Sequence, residues 1–479
     1  MPDVVDEAAA VEAPLTETIE CAPGIREQLL NRSVGSALTW LALPVLGEQV
    51  LNLLVGMTDF YLAGTINKEA TVALGLAIHV AWLVWLLFSF VGAGATALVS
   101  RYAGVGAPAV ANHFTNQAIS ASMVLGLIAF VVIQAVSPTL PALLGWDPGP
   151  SKLAVTYLRI DSIGYLLVCL SAIGFACLRG MGDTRTPLYI MAVVNVVNVI
   201  VSAALVFGWG PVPTLGIAGI AIGTVVARTL GGLIVLALLI RGCSGLKLHR
   251  REMRPHWASL WRLARIGLPA GADGLLMWAA NFAFMMIISK LATGELQAVI
   301  VAAHFVGLRI EALSYLPAFA YATAAATLVG QSLGAGQPDR ARHSGHLAAG
   351  QGAAFCVIMG VAYFVFAGPI YTLFNSSEDV AAITAVGVPA LRLLAFFQIP
   401  LALMIIYANA LRGAGDTRYP LIFTMVGMLI FRLPLAYVCG ITLNGGLVGA
   451  WIGMCVDMAI RALLNGIRFA RGHWQHIQV

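Results

Sequence analysis

Long apolar stretches alternate with short polar breaks along most of the chain, and this pattern predicts a helical membrane protein. Windows such as 71–100 and 114–146 hold almost no charge. A run of about 20 apolar residues is long enough to cross the hydrocarbon core as a helix. We therefore expect twelve membrane-spanning helices, at residues 38–62, 71–99, 113–137, 153–178, 187–208, 214–240, 264–290, 299–328, 346–373, 382–411, 419–441 and 446–468.

The composition supports this prediction. Apolar residues make up 59% of the chain and charged residues only 10%, with a mean hydropathy of +0.88. A soluble protein of 479 residues could not keep that much apolar surface away from water. Residues 1–36 differ, because they hold seven acidic residues and lack the basic start and short apolar core of a signal peptide. We interpret them as a solvated tail.

The basic residues predict the orientation of the chain. If the N-terminus is inside, 18 Lys and Arg lie in inner segments, 3 lie outside and the other 6 fall within spans. Such a bias is typical of the positive-inside rule. We therefore expect a multi-pass protein of the cell (inner) membrane with both termini in the cytoplasm.

Several segments occur twice. "LRGMGDTRTP" at 178–187 and "LRGAGDTRYP" at 411–420 share eight of ten positions, and "GIAGIAIG" at 216–223 corresponds to "GLVGAWIG" at 446–453. Six helices have therefore been duplicated in parallel, which is a transporter architecture. We expect a tail, a first six-helix bundle, a basic cytoplasmic linker, a second bundle and a short C-terminal tail, at 1–36, 37–240, 241–263, 264–470 and 471–479.

The repeated decapeptide has the chemistry of a tight helix–helix turn. Gly180 and Gly182 tolerate a positive φ, and Asp183 can cap the next helix. Arg179 and Arg185 can reach lipid phosphates or pair with Asp183. One interpretation is a structural hairpin anchored at the inner face; the other is a gate latch that breaks during transport. The second copy supplies the corresponding residues Arg412, Asp416 and Arg418.

With these motifs in place, the chain resembles the multidrug and toxic compound extrusion (MATE) family. The resemblance rests on the twin L-R-G-x-G-D-T-R-x-P, on "GMTDFYLAG" around Asp59, on the segment 302–336 and on "FRLPLAYV" at 431–438. It implies an all-α polytopic membrane protein with twelve transmembrane helices in two parallel six-helix bundles around a central cavity. It also implies export of small organic, often cationic, compounds in exchange for H⁺ or Na⁺, with no other cofactor.

Asp59 is the strongest candidate for the coupling group. An ionisable residue within a span is costly, so it calls for a functional or structural reason. Asn195, Asn198 and Ser202 in the fifth span and Thr224 in the sixth lie at similar depths, and Asn198 and Ser202 share a helix face. Carboxylate, amide and hydroxyl oxygens can hold a proton or a hard cation, so Asp59 and Asn198 would bind Na⁺ in a sodium-coupled protein. The alternative for the two Asn is helix–helix hydrogen bonding.

The chain departs from the family pattern at Ser202. MATE members often have Asn-x-x-x-Asp in the fifth span, where this chain has Asn198 and Ser202. The missing carboxylate favours protons over sodium. Some members also carry an acid in the seventh span, and here Met277 and Trp278 stand there instead.

Other residues are candidates for a substrate cavity or a second polar site. Glu311 and Asp161 are acids within spans, and Trp278, Met285 and Tyr407 could line an adaptable cavity for flat cations. Buried ion pairs explain the acids equally well, and ordinary packing explains the aromatic and methionine side chains.

Three other function classes compete with this interpretation. A flippase for a lipid-linked precursor is the alternative transporter. An enzyme is disfavoured, since no H-E-x-x-H or His–Asp set is present, and a channel does not suit the two-fold repeat. No G-x-x-x-x-G-K-[ST] loop occurs, so a gradient must supply the energy. The expected partners are small-molecule substrates and the lipid bilayer, with no nucleic acid, and we expect a monomer.

Overall fold

The computed structural model describes residues 28–477 except residue 30, residues 210–212 and residues 375–378. Within these ranges the chain is helical, and no β-strand occurs there. We label the thirteen long helices α1 (Val34–Ile66), α2 (Lys68–Val105), α3 (Pro108–Val136), α4 (Pro148–Gly180), α5 (Arg185–Phe207), α6 (Ile217–Arg241), α7 (Trp257–Ile288), α8 (Glu295–Gly334), α9 (Pro338–Val365), α10 (Val380–Ala395), α11 (Gln398–Gly413), α12 (Arg418–Thr442) and α13 (Gly446–Ala470).

These helices confirm the expected all-α membrane fold. Eleven of the described helices are long and apolar enough to cross a bilayer, and α10 with α11 gives a twelfth if the bent pair is one span. Most of the acidic tail expected at 1–36 lies outside the described residues. Within the expected C-terminal tail, Trp474 is buried and stacks on Phe469 of α13, with ring centroids 4.5 Å apart.

Two interruptions that the apolar pattern does not reveal lie close to prolines. The expected span 382–411 bends by 58° between α10 and α11. Pro400 has no N–H to donate to the carbonyl of Phe396, and its ring crowds that carbonyl, so the helix breaks there. In α12 the backbone widens to π-helical turns at Val426–Arg432 and Val438–Thr442, on either side of the segment that contains Pro434.

The helices form two compact units. The first comprises Gly47–Gly267, in which α4 lies against α2, α3 and α6, and α5 packs on α6. The second comprises Arg32–Leu46 and Leu268–Val479, in which α8 lies against α9 and α11, and α11 against α13. The expected bundle limits, 37–240 and 264–470, differ from this division at both ends. The helices α1 and α7 each change unit within three residues of a proline, Pro44 and Pro269, at equivalent positions of the repeat.

Candidate functional site

Three helices of the first unit bring a polar group around Asp59. Thr224 on α6 donates its hydroxyl to Asp59 Oδ2 at 3.0 Å, and Asn198 on α5 donates its amide to Asp59 Oδ1 at 3.4 Å. The same Asn198 amide lies 3.1 Å from Thr224 Oγ1. All three side chains are at most 4% exposed, so a carboxylate is buried here among uncharged donors.

A glycine explains why α5 and α6 approach so closely at this point. Gly223 lies against Ser202, and a Cβ at Gly223 would overlap the Ser202 hydroxyl and backbone. Small residues let membrane helices pack backbone to backbone. The Ser202 hydroxyl lies 3.4 Å from the Asn198 amide, so it belongs to the outer edge of the group. The Asn198 Oδ1 atom is buried without a hydrogen-bond partner, which leaves one uncommitted acceptor beside Asp59.

Asn195 does not join this group. Its amide donates to the carbonyl of Leu51 at 2.9 Å and to that of Met191 at 3.1 Å. We expected Asn195 to supply an oxygen beside Asp59, and it does not. Asn195 lies one helical turn from Asn198, and its side chain points to the backbone of α1. This is the helix–helix bond that was the alternative for the Asn pair.

An ion pair borders the site and was missed at the sequence level. Arg228 is one turn beyond Thr224 on α6, and its Nη1 lies 3.9 Å from Asp161 Oδ1. Tyr165 donates to the other oxygen of Asp161 at 2.7 Å. Arg228 also interacts electrostatically with Asp59. The signal was the i,i+4 spacing of Thr224 and Arg228, which puts both on one face.

The charge balance of this region limits what it can bind. Asp59 and Asp161 with Arg228 carry a net charge of −1 when all are ionised, and of zero when Asp59 is protonated. A single proton therefore makes the group neutral. Asp59 Oδ1, Asn198 Oδ1 and the hydroxyls of Ser202 and Thr224 could approach a small cation, but a guanidinium nearby opposes a second positive charge.

The repeated decapeptide holds two equivalent buried acids. Arg179 Nη2 lies 3.6 Å from Glu48 Oε1 in the first unit, and Arg412 Nη2 forms a short ion pair with Asp273 in the second. Both acids are 3% exposed, and they are related by the same 225-residue shift that relates the two prolines. Arg179 therefore pairs with Glu48, a partner that the sequence did not reveal.

The turn itself forms as its residues predict. Gly182 has φ +91°. Asp183 accepts hydrogen bonds from the backbone N–H groups of Arg185 at 3.1 Å and Thr186 at 3.0 Å, which caps α5. Its other oxygen accepts from Ser244 Oγ at 2.6 Å, so the cap also holds the linker that follows α6.

The second copy uses its aspartate differently. Gly415 has φ +92°, matching Gly182. Asp416 accepts from Arg468 Nε at 2.9 Å, and the Arg468 guanidinium lies over the Tyr419 ring at 3.7 Å from the centroid. Arg418 is exposed. This turn is therefore tied to the end of α13.

Glu311 lies in a separate polar cluster of the second unit. It accepts a hydrogen bond from Tyr315 on the same helix, at 3.3 Å. Nearby, Asp457 accepts two hydrogen bonds from Arg461 at 2.7 and 2.6 Å and pairs with Arg432 at 3.4 Å. Arg461 is the partner that the i,i+4 spacing predicts.

The second unit does not repeat the chemistry around Asp59. The shift of 225 residues pairs Asp59 with Phe284. The Arg432 guanidinium lies 5.4 Å from the Phe284 centroid and donates to Asn281 at 2.7 Å. Phe284 thus stands at the position equivalent to Asp59, with a buried arginine over its ring.

The three residues expected to line a substrate cavity fall in different surroundings. Trp278 stacks on Phe282 with centroids 6.1 Å apart and is 38% exposed. Tyr407 bonds His346 at 3.0 Å. Met285 is partly buried on α7. Tyr407 lies on α11, whereas Trp278 and Met285 lie on α7.

The chain was compared with known families and proteins. The MatE family model matches residues 44–204 and 269–438, which is more than half of the chain. The chain belongs to the MATE family. A relative from Thermotoga maritima, named probable multidrug resistance protein NorM, is 30% identical over 95% of this chain and 94% of its own. A protein of Shewanella oneidensis named FAD transporter is 27% identical over 92% and 95%.

Solved MATE structures share the fold. One, described as the outward-facing conformation of a multidrug resistance MATE family transporter of the MOP superfamily, has a TM-score of 0.85 at 22% identity. It covers 93% of this chain and 98% of its own.

The structure shows where the departure from the MATE pattern at Ser202 lies. Because Ser202 lies beside Asn198, an aspartate at this position would bring its carboxylate to the edge of the Asp59 group. Here Arg228 and Asp161 are the charged neighbours instead.

Proposed function

We propose that this protein is a secondary antiporter that exports small organic compounds in exchange for protons. Asp59 is the exchanging carboxylate, and Thr224 and Asn198 position it. The observation that carries the proposal is a buried acid within a span, held by uncharged donors from two other helices. An ionisable group inside the bilayer is costly, and such groups typically pair with a partner or mark a pathway for ions or protons.

The exchange follows from the charge of Asp59. When Asp59 is protonated, the region with Asp161 and Arg228 is neutral and attracts no cation. When Asp59 loses its proton, the region is negative and favours a positively charged or amphiphilic substrate. The proton and the substrate thereby each stabilise a different conformation of the bundle. Because each binds one conformation more tightly than the other, substrate export is coupled to proton import.

Protons are favoured over sodium by the donor set. One carboxylate faces the cluster, Ser202 stands where a second acid is common in the family, and Arg228 adds a positive charge. A proton is held by Asp59 alone, whereas Na⁺ needs several oxygens that together outweigh the repulsion from Arg228.

The substrate class is inferred from relatives. Proteins named for multidrug resistance support a broad range of organic substrates, and the relative named FAD transporter indicates that similar chains also move a nucleotide-containing compound. We propose cationic or amphiphilic compounds for this chain. A carrier of this kind needs no catalytic site, acts as a monomer and resides in the inner membrane with both termini in the cytoplasm.

The test is efflux of ethidium from proteoliposomes that contain the purified protein. A proton gradient and a sodium gradient are imposed separately, at equal membrane potential. We expect efflux to follow the proton gradient and to ignore sodium. Efflux driven by sodium alone would overturn the proton assignment, and failure under both gradients would overturn the antiporter.

A further inference from the structure

The basic linker between α6 and α7 is held in a fixed shape by amide side chains of α3. Asn112 Oδ1 accepts from the backbone N–H of Lys247 at 2.7 Å, and Asn116 Oδ1 accepts from that of His249 at 2.9 Å. The Asn116 amide in turn donates to the Lys247 carbonyl at 3.1 Å. Each Asn therefore satisfies linker backbone groups that would otherwise need water.

The next residues of α3 continue this series. Gln117 accepts from the backbone N–H of His256 at 2.9 Å and donates to the carbonyls of Glu252 at 2.5 Å and Arg254 at 2.8 Å. Since the backbone is fixed along this length, the side chains that it carries have defined positions.

The start of α7 packs on the first unit with one face. Ser259 is 2% exposed, Leu263 lies against Gly94, and Gly267 lies against Phe90. The spacing of four residues puts these contacts on one stripe of the helix.

The opposite stripe carries two tryptophans and an arginine. Trp257 is 81% exposed and Trp261 is 66% exposed, and Arg265 follows at the same spacing. The linker adds three more exposed side chains. We call this set the basic patch; it consists of Arg250, Arg251, Arg254, Trp257, Trp261 and Arg265.

The one acid of the linker is turned away from water. Glu252 is half-buried, and its carboxylate accepts from the Asn116 amide at 3.3 Å. Burial raises the pKa of the Glu252 carboxyl, an effect that the nearby His249 opposes. The basic patch is therefore not neutralised by its own linker.

We propose that the basic patch binds the headgroup of an anionic phospholipid of the inner leaflet. Tryptophan is enriched at the membrane–water interface, and clusters of Lys and Arg beside a membrane helix attract anionic lipids. Trp257 and Trp261 precede the apolar part of α7, so their indoles lie at the membrane–water interface. The arginines of the basic patch then lie at the depth of the lipid phosphates. This assignment uses the cytoplasmic placement of the linker that the basic asymmetry predicts.

The two tryptophans favour lipid over the other acidic partner available. Residues 1–27 hold seven acids and could pair with the arginines, but charge pairing alone gives no reason for two large exposed indoles. A bilayer accounts for both features, since it offers phosphate and an apolar layer together.

The experiment measures lipid binding to the full-length protein in an uncharged detergent. Native mass spectrometry gives the apparent Kd of the first bound phosphatidylglycerol, with phosphatidylcholine and glycerol 3-phosphate as competitors. The variant is R250Q/R251Q/R254Q. The matched control is R342Q/R471Q, which removes two exposed arginines elsewhere.

We expect the triple variant to weaken phosphatidylglycerol binding by about a hundredfold, at about 1 kcal/mol for each arginine. W257A/W261A should weaken it as well, and the control should not. Thermal unfolding checks that each variant is folded, and R254Q alone should still weaken binding if the triple variant is unstable.

Three results would overturn the proposal. The first is equal affinity for phosphatidylglycerol in the triple variant and the wild type. The second is displacement of the lipid by phosphatidylcholine or by glycerol 3-phosphate at equal concentration. The third is loss of the effect of the triple substitution once residues 2–27 are deleted, because the acidic tail would then be the occupant.

Discussion

The hydroxyl of Thr224 connects the two other members of the site, because it donates to Asp59 and accepts from Asn198. A donor to a carboxylate stabilises its ionised form. In T224V that donor is lost, so Asp59 keeps its proton to higher pH. We expect the pH midpoint of proton-driven efflux to move upward by about one to two units, since a hydrogen bond to a charged group contributes about 1.5–3 kcal/mol. T224S, which keeps a hydroxyl, is the control and should stay near the wild type; an unshifted T224V midpoint would contradict the role of Thr224.

Ser202 offers a gain-of-function test at the same scale. S202D adds a second carboxylate beside Asn198, and two carboxylates with amide and hydroxyl oxygens favour a hard cation. We expect S202D to acquire efflux driven by a sodium gradient, measured in proteoliposomes. S202N is the uncharged control of similar size, and sodium-independent efflux by a well-folded S202D would argue against a cation site here.

The residues of the site were partly accessible to sequence reasoning. Depth along each helix and the i,i+4 spacing of Asn198 and Ser202 brought Asp59, Asn198 and Thr224 together correctly in space. The rotation of each helix about its own axis could not be predicted from the sequence. This rotation turns Asn195 towards the Leu51 carbonyl and Arg228 towards Asp161.

At the scale of elements, the decapeptide turns are held by two equivalent ion pairs, Arg179 with Glu48 and Arg412 with Asp273. Removing one partner leaves a buried charge uncompensated, at a cost of about 3–5 kcal/mol. We expect R179A and R412A to lower the unfolding midpoint and transport together. R179A/E48Q should recover much of the stability, because the unpaired charge is gone. If well-folded R179A binds substrate normally but fails to turn over, the motif is a gate latch instead.

The number of spans could be predicted from hydropathy, whereas the shape of each could not. Apolar windows ignore whether a backbone N–H is available, so the break before Pro400 and the π-helical turns around Pro434 were invisible to them. The caps of the turns were predictable, because Gly182 and Asp183 act on the backbone within three residues.

For the whole molecule, the expected topology places both termini in the cytoplasm. In a cysteine-free background, D147C should react with a membrane-impermeant maleimide from outside intact cells, and R342C only after the inner face is opened. Both positions are exposed, so accessibility is set by the side of the membrane. Reversed labelling at either position would contradict the orientation and with it the lipid leaflet assigned to the basic patch.

The parallel duplication was visible in the sequence because matched segments keep a nearly constant offset. The sequence did not show that the first part of α1 belongs to the second unit and the first part of α7 to the first unit. Each of these helices has the pattern of one continuous apolar helix. Which unit a segment packs against depends on contacts far away in the chain. Only Pro44 and Pro269 mark the places where the helices change unit.

The most direct test of the account is D59N, measured for both coupling and exchange. Asparagine mimics the protonated carboxyl without being able to lose a proton, so we predict a folded protein that no longer uses a proton gradient. E311Q, which neutralises a buried acid of the second unit, is the matched control and should keep proton-driven efflux. D59N that retains full gradient-driven efflux would contradict the central claim, and loss in E311Q alone would move the coupling site to Glu311.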